Sequence, residues 1–366
     1  MLSVDDAWEN FISNNEDINA NYKEEDTELV ENNLEDIPKC SDIYISTQTK
    51  IAYLNQPIDL KNIFWAIPVI PYQSVQVGTV KKQMKVNCTS KEEVAVLEKK
   101  LKETENSVVI VDIISQIDNP NARKVKFKDV RKINIGLCKK DLTSYRTKRK
   151  GAFYNCFVLI LRLKDGEDYK ESHVKIFNTG KLEIPGIQSS EYLYHVLDSL
   201  IEILQPHCDK TLEWKKDDIE TVLINSNFSC NYYIDRDILA HRLKYEYNIH
   251  VVYDPCSYPG IQCKFYYNED NTKVDGVCRC KKKCDKKGAG KGKNQCLEIS
   301  FMIFRTGSVL IVGKCCESIL NNIYIFVKNM LESEFSEIHI PVVEDEFHKK
   351  TATKKQTRKK TIMINK

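Results

Sequence analysis

Hydrophobic and polar positions along the chain run through two successive cycles of strand, helix, antiparallel strands and helix. In the first cycle the β-branched and aromatic run IYISTQTKIAYL (43–54) predicts a long strand. Asp59 is placed to cap a short helix over DLKNIFWAI, which Pro68 and Pro71 terminate. Residues 73–150 hold strand-like pieces (MKVNCTS, SVVIVDII, RKINIGL) around one charged helix at 91–103. The apolar run YNCFVLILRL (154–163) predicts a buried strand, and HVKIFN with KLEI predicts a hairpin about Thr179 and Gly180. Ser189 or Ser190 caps a helix reaching Leu204, with Leu193, Val196, Leu197, Leu200, Ile201 and Leu204 on one stripe. Pro206 ends it.

The second cycle repeats that order. TVLINSNFSCNYYI (221–234) is the long strand, and Asp235 caps a helix over 236–247. NIHVVY and IQCKFYY are strands, residues 268–296 are a Lys/Gly/Cys-rich insertion, and LEISFMIF with SVLIV is the hairpin. A helix over 317–331 closes the cycle. The two hairpins also match residue by residue. The stretch from Ile176 to Gly186 returns 127 positions later from Ile303 to Gly313, with six of eleven residues identical and no gap. A repeat of this length predicts a pseudo-symmetric α+β fold.

Charge divides the chain further. The formal net charge is +3, yet residues 1–38 hold twelve Asp and Glu against one Lys. The remainder carries 54 Lys and Arg against 40 Asp and Glu, a balance that favours a polyanionic partner. The Asn- and acid-rich composition of 1–38 predicts a disordered arm. The Lys-rich stretch 337–366 predicts a disordered basic tail. Fourteen cysteines in 366 residues, and an acidic start MLSVDDAWEN in place of a basic n-region, point to mostly free thiols in a reducing compartment. No apolar run approaches membrane-spanning length.

The order of elements in each half, the duplicated I-F-x-[ST]-G-x-x-x-x-x-G before the last helix, and Tyr258-Pro259-Gly260 resemble the TATA-box-binding protein family. The likeness is strongest to the TATA-binding-protein-like factors of large DNA viruses. It covers about 42–72, 154–204 and 221–332. It implies an α+β saddle: two repeats forming one curved antiparallel sheet, with helices on the convex face. The expected domains are the arm 1–38, a first repeat over 39–210 with an insertion at about 73–150, a second repeat over 211–336 with the insertion 268–296, and the tail. Members of this family are themselves the standard example of minor-groove proteins that wedge open base steps with aromatic side chains. Carried over by position, the wedges are Phe177 and Phe304, Tyr258 where the family has Phe, and Phe153 near the fourth place. Arg162, Lys181 and Lys264 match phosphate-contacting cations, while Ser308 replaces the lysine of the last such site. Thr47, Asn225, Asn227 and Thr306 are groove-face candidates, and Ile43 and Ile45 would add an apolar floor. Glu183 departs from the pattern, because alternation from Phe177 turns its carboxylate toward phosphates. Either a bulge turns it away or the first repeat binds DNA weakly.

Cys278, Cys280, Cys284 and Cys296 form C-x-C-x3-C-x11-C, with seven lysines between the first and the last. They are candidate ligands of a structural zinc, or incidental thiols in a flexible basic loop. No metalloprotease motif, nucleophile triad or Walker loop is present, so no catalytic set is expected, no cofactor is required and no small-molecule substrate is implied. The resemblance implies a transcription initiation factor that bends A·T-rich double-stranded DNA and works with a TFIIB-like factor and a DNA-dependent RNA polymerase. The expected setting is intracellular: a viral factory in the host cytoplasm, the virion, or otherwise the nucleus, without a membrane. Rival readings are a saddle-shaped interaction module with little DNA binding, and a repair enzyme of related fold.

Overall fold

The computed structural model describes residues 37–104, 108–143 and 153–341. The expected acidic arm and basic tail lie almost wholly outside these residues. The chain divides into two compact units. One holds described residues 37–48 and 221–341, and the other is Thr49–Glu220.

In the unit Thr49–Glu220 the strands are β1 (Tyr44–Tyr53, whose first five residues belong to the other unit), β2 (Gly78–Cys88), β3 (Val109–Asp118), β4 (Phe127–Gly136), β5 (Cys156–Asp165), β6 (Asp168–Phe177) and β7 (Lys181–Ile187). They lie in the order β1-β7-β6-β5-β2-β4-β3. Helices α1 (Leu60–Ala66), α2 (Lys91–Lys102) and α4 (Ser190–Leu204) pack on one face, and α3 (Lys139–Thr143) is a short helix between β4 and β5. Leu193, Val196, Leu197, Leu200 and Leu204 of α4 meet Phe157, Leu159, Leu161, Val174, Ile176 and Leu182 in the main core. Ser189 is the cap of α4, accepting from the Tyr192 amide at 3.2 Å.

The second unit contains β8 (Glu220–Ser229), β9 (Tyr233–Ile234), β10 (His250–Val252), β11 (Gly260–Tyr267), β12 (Leu297–Phe304), β13 (Ser308–Gly313) and β14 (His339–Ile340). Its main sheet runs β10-β11-β12-β13-β8, and β14 pairs with β9. Helices α5 (Arg236–Tyr245) and α6 (Glu317–Ser333) bury Leu239, Leu243, Leu320, Ile323, Val327 and Leu331 against one face of that sheet. The short α7 (Phe335–Ile338) leads into β14, so ordered chain continues past Ser336, where a tail was expected. The long strand expected over 221–234 is broken, because Asn231 adopts a left-handed backbone (φ 66°) between β8 and β9.

The sequence repeat is therefore also a repeat of topology. Counting only the strands shared by both halves, each sheet runs first, fifth, fourth, third, second. The insertion in the first half extends the sheet beyond β2 with β4 and β3. The duplicated hairpin glycines have one cause. Gly180 (φ 83°) and Gly307 (φ 78°) are left-handed, and an added Cβ would fall 2.5 Å from the Gln56 carbonyl oxygen and 2.3 Å from that of Tyr232. Each glycine also accepts an equivalent bond, from the amide of Leu54 in one unit and Cys230 in the other. The α+β class expected from the sequence holds in each unit. No helix among the described residues is long and apolar enough to cross a membrane.

One buried cation belongs to this framework. Lys82 Nζ donates to the carbonyls of Phe64 (2.7 Å) and Ile67 (2.6 Å) at the end of α1, satisfying acceptors that the helix leaves open. Burial pushes its pKa down to about 8. The folded state then releases this proton near pH 8, and the unfolded state does so only in the ordinary lysine range. Between the two the unfolded state binds more protons, so stability rises with pH across that window. Lys82→Met should abolish this rise in urea melts and cost about 1–3 kcal/mol at pH 7 through the orphaned carbonyls.

Candidate nucleic-acid interface and cysteine cluster

The strand alternation that buries Ile299, Phe301 and Ile303 beneath the helices turns Ser300, Met302 and Phe304 to the opposite face. There Leu223, Met302, Leu310 and Val312 form a separate apolar cluster, with Phe304 packed against it. No described helix contributes to that cluster. Met302 and Leu310 are directly opposite across the β12–β13 ladder. At the end of this strip Tyr258 meets Phe304 edge to face, with centroids 6.1 Å apart. Gly260 lies opposite Phe304, and a Cβ there would come within 2.9 Å of both rings. The Tyr258 hydroxyl reaches Met302 Sδ at 3.9 Å, and burial raises its pKa far above the usual phenol range. Two of the four wedge candidates are thus one aromatic pair at the rim of an apolar strip.

Polar candidates border the strip. Asn225 Nδ2 donates to Thr47 Oγ1 at 3.0 Å, while its buried Oδ1 has no hydrogen-bond partner among the described residues. Asn227 pairs across from Leu310, and Thr306 is exposed in the hairpin turn beyond Phe304. Lys264 lies further along the same face, bonded to Ser300 Oγ at 3.0 Å and paired with Glu298 at 3.1 Å. Ile43 and Ile45 do not join a groove floor. They pack against the helix-side core, so the face that Thr47 presents to Asn225 does not extend to Ile43 and Ile45.

The equivalent face of the other unit differs at nearly every position. Across the β6–β7 ladder Lys175 and Glu183 stand where Met302 and Leu310 stand in the second hairpin, and they form an ion pair at 2.7 Å. Glu183 therefore faces as alternation requires, and no bulge turns it away; a neighbouring lysine neutralises it. Phe177 carries Lys181 over its ring at 5.9 Å, and Phe153 carries Lys175 at 5.0 Å. By strand register, however, Cys156 opposite Phe177 corresponds to Gly260 opposite Phe304. The register equivalent of Tyr258 is then Tyr154, a residue that sequence reasoning passed over. It is half exposed, with Lys85 Nζ 3.6 Å from its ring centroid. The missing signal was the length of the β5–β6 hairpin, which fixes this register. Phe153 lies beside Lys175, the ladder counterpart of Met302, which Tyr258 touches in the other unit.

Arg162 drops out of the phosphate set. Its guanidinium is buried, donates to the carbonyls of Tyr72 (2.8 Å) and Ser74 (2.7 Å), stacks on the Tyr72 ring and lies 3.6 Å from Glu171. The same register pairs Lys264 in position with Ile160, not Arg162. Helix α3 covers part of this face. Cys138 packs with Val80 and Ile160, Lys81 grips Asp141 at 2.7 Å, and the Lys139 amide donates to Glu171 at 2.8 Å. Burial would raise the Asp141 carboxyl, but Lys81 outweighs it and holds the group below its usual range. Burial, reinforced by Lys140 and Lys81, lowers His173 to about 4, so its imidazole is neutral at physiological pH.

The cysteines of the second insertion converge. The four Sγ atoms of Cys278, Cys280, Cys284 and Cys296 all lie within 4.8 Å of one another and could hold a metal ion.

No family model matches the chain. A protein of Acanthamoeba polyphaga mimivirus described as "TATA-box-binding protein-like" is 24% identical over 219 residues. The match covers 53% of this chain and 53% of the relative, so the chain spans about half the length of the protein it matches. The chain is similar to the TATA-box-binding proteins. Among solved structures, the Methanococcus jannaschii TBP aligns over 80% of this chain and 99% of its own, at 12% identity and a TM-score of 0.37.

Proposed function

We propose that the chain is a transcription initiation factor that binds A·T-rich duplex DNA through the minor groove. The observation that carries this reading is the Tyr258–Phe304 pair at the rim of the strip Leu223, Met302, Leu310 and Val312. Apolar strands suit a groove whose A·T steps offer few donors, and aromatic wedges suit DNA that bends at flexible steps. The unit Thr49–Glu220 contributes less to base contact, since charged pairs and α3 occupy its equivalent face. Partners of this reading are a TFIIB-like factor and a DNA-dependent RNA polymerase. The likeness to a viral relative favours a viral setting. No cofactor takes part in DNA binding; a zinc ion on the cysteine cluster would be structural, because four thiolates leave no open position.

A second reading rests on a different observation. The edge strand β3 exposes Ile110, Ile113, Ile114 and Ile117, an apolar edge of the kind that pairs with another chain. On that reading the protein is an interaction module of the transcription machinery. A mobility and bending assay on A·T-rich and G·C-rich duplexes separates the two. Preference for A·T with bending supports the DNA reading, and indifference to sequence with no bend overturns it.

Salt dependence adds a residue-level check. Lys264→Gln should reduce the slope of log K against log salt by about 0.9, the loss of one phosphate contact. Arg162→Gln should leave the slope unchanged and instead cost about 1–3 kcal/mol of stability, since its partners are buried carbonyls and Glu171.

A further inference from the structure

We infer that Cys278, Cys280, Cys284 and Cys296 together bind one soft, tetrahedral divalent cation of the zinc class, as a closed structural site that folds the loop between β11 and β12. The sulfur–sulfur distances fit such an ion. Bonds of about 2.3 Å from a tetrahedral centre to sulfur place the ligands about 3.8 Å apart. Cys278 and Cys296 Sγ are 3.7 Å apart, Cys280 and Cys296 Sγ are 3.4 Å apart, and all four fall within one small sphere. A disulfide needs two sulfurs at about 2 Å and leaves no reason for four to gather.

The make-up of the loop points the same way. Its valines do not form a core: Val274 is 41% exposed and Val277 is half-buried. Cys296 is fully buried, and the half-buried Cys278, Cys280 and Cys284 gather around it where the loop has no apolar core. The backbone is nonetheless arranged in detail around that interior. Gly288 donates to the Cys296 carbonyl at 3.0 Å, Gly290 to that of Gln295 at 2.8 Å, and Glu269 to that of Gly290 at 2.8 Å. Lys286 is left-handed (φ 62°), a conformation uncommon outside glycine and asparagine, and Asn294 turns the chain the same way (φ 58°). Hydrogen bonds of this number do not offset the ordering entropy of a polar loop, whereas metal–thiolate bonds can.

Charge agrees with the geometry. On binding, each thiol releases its proton to solvent, and four thiolates with one divalent ion carry a net charge of −2. Lys281, Lys282 and Lys283 fill the interval between the second and third ligands, and all three are exposed. They supply the compensating charge. Zinc-class ions suit this sulfur set; magnesium and calcium, which prefer oxygen, do not.

The test uses the full chain, purified under reducing conditions, and does not involve DNA, so its failure and that of the DNA reading are separate events. Elemental analysis should find one zinc per chain, and cobalt exchange should give the absorption bands of a tetrahedral tetrathiolate site. Cys278→Ser with Cys284→Ser should lose the metal while the α6 amides keep their hydrogen-exchange protection. Chelation should expose the amides of 268–296 in the unmutated protein. The inference is overturned by a metal-free chain whose four thiols react equally fast with and without added zinc. Metal retained by the double variant overturns it too, as does an intact mass lower by two hydrogens from a Cys280–Cys296 disulfide.

Discussion

Phe304→Ala is expected to weaken binding to an A·T-rich duplex by roughly thirty-fold or more, the effect of about 2 kcal/mol at a buried aromatic anchor, and to remove most of the bend. Phe304 packs on the strip Leu223, Met302, Leu310 and Val312, and it also supports Tyr258. Truncating it removes one wedge and unseats the other. Tyr258→Ala alone should cost less, and the double variant should cost less than the sum, because the two rings act as one unit. Phe177→Ala is the control from the other repeat. Its ring lies beside Lys181 on a face already lined by the Lys175–Glu183 pair, so its loss should change affinity only a few-fold. Fluorescence anisotropy with a bending readout on A·T-rich and G·C-rich duplexes measures all four variants. Equal losses for Phe177→Ala and Phe304→Ala would show that the two faces work alike and that the charged pair does not set them apart.

Much of the scaffold could be read from residue order, and the reasons are local. The period of α4, the caps at Asp59, Ser189 and Asp235, and the paired Thr-Gly turns each act over a few residues, so a linear pattern records them. Alternation is equally local: Leu310 lies opposite Asn227 in one unit, and Glu183 opposite Lys175 in the other, since the side-chain period of a strand is fixed. What escaped was decided by contacts far apart in sequence. Arg162 is exposed or buried depending on Tyr72, Ser74 and Glu171, of which the first two are 90 and 88 residues away. That Tyr154 and not Phe153 is the register equivalent of Tyr258 depends on how β5 registers with β6. The partial cover of one face comes from α3, five residues inside an insertion that had no counterpart to compare. The cysteine cluster lay between these cases. Its spacing was visible, but only the fold of the loop brings Cys296 back to the other three.

The ion pair Lys175–Glu183 is the clearest mark of divergence between the repeats, and its removal should be strongly asymmetric. Glu183→Leu alone should destabilise the protein by about 3 kcal/mol or more, because it leaves a lysine whose side chain is 14% exposed without its counter-charge. Lys175→Met alone should be as harmful, stranding a carboxylate that is 8% exposed. Together the two substitutions recreate the Met302–Leu310 pair of the other hairpin, across the same ladder position. Buried ion pairs replaced whole by apolar residues of similar size are often neutral or stabilising by about 1–4 kcal/mol, so the double variant should recover the stability that each single variant loses. Urea melts of the four proteins complete the cycle. Additive losses would mean that the two side chains stabilise the fold independently, contrary to the 2.7 Å contact. The double variant also bears on function. If a charged floor is what keeps the first repeat from gripping an A·T-rich groove, converting it to Met and Leu should raise affinity for that duplex and make Phe177→Ala more costly than in the unmodified chain. If affinity stays fixed while stability recovers, the pair serves the fold alone, and the cover provided by α3 is what withholds this face from DNA.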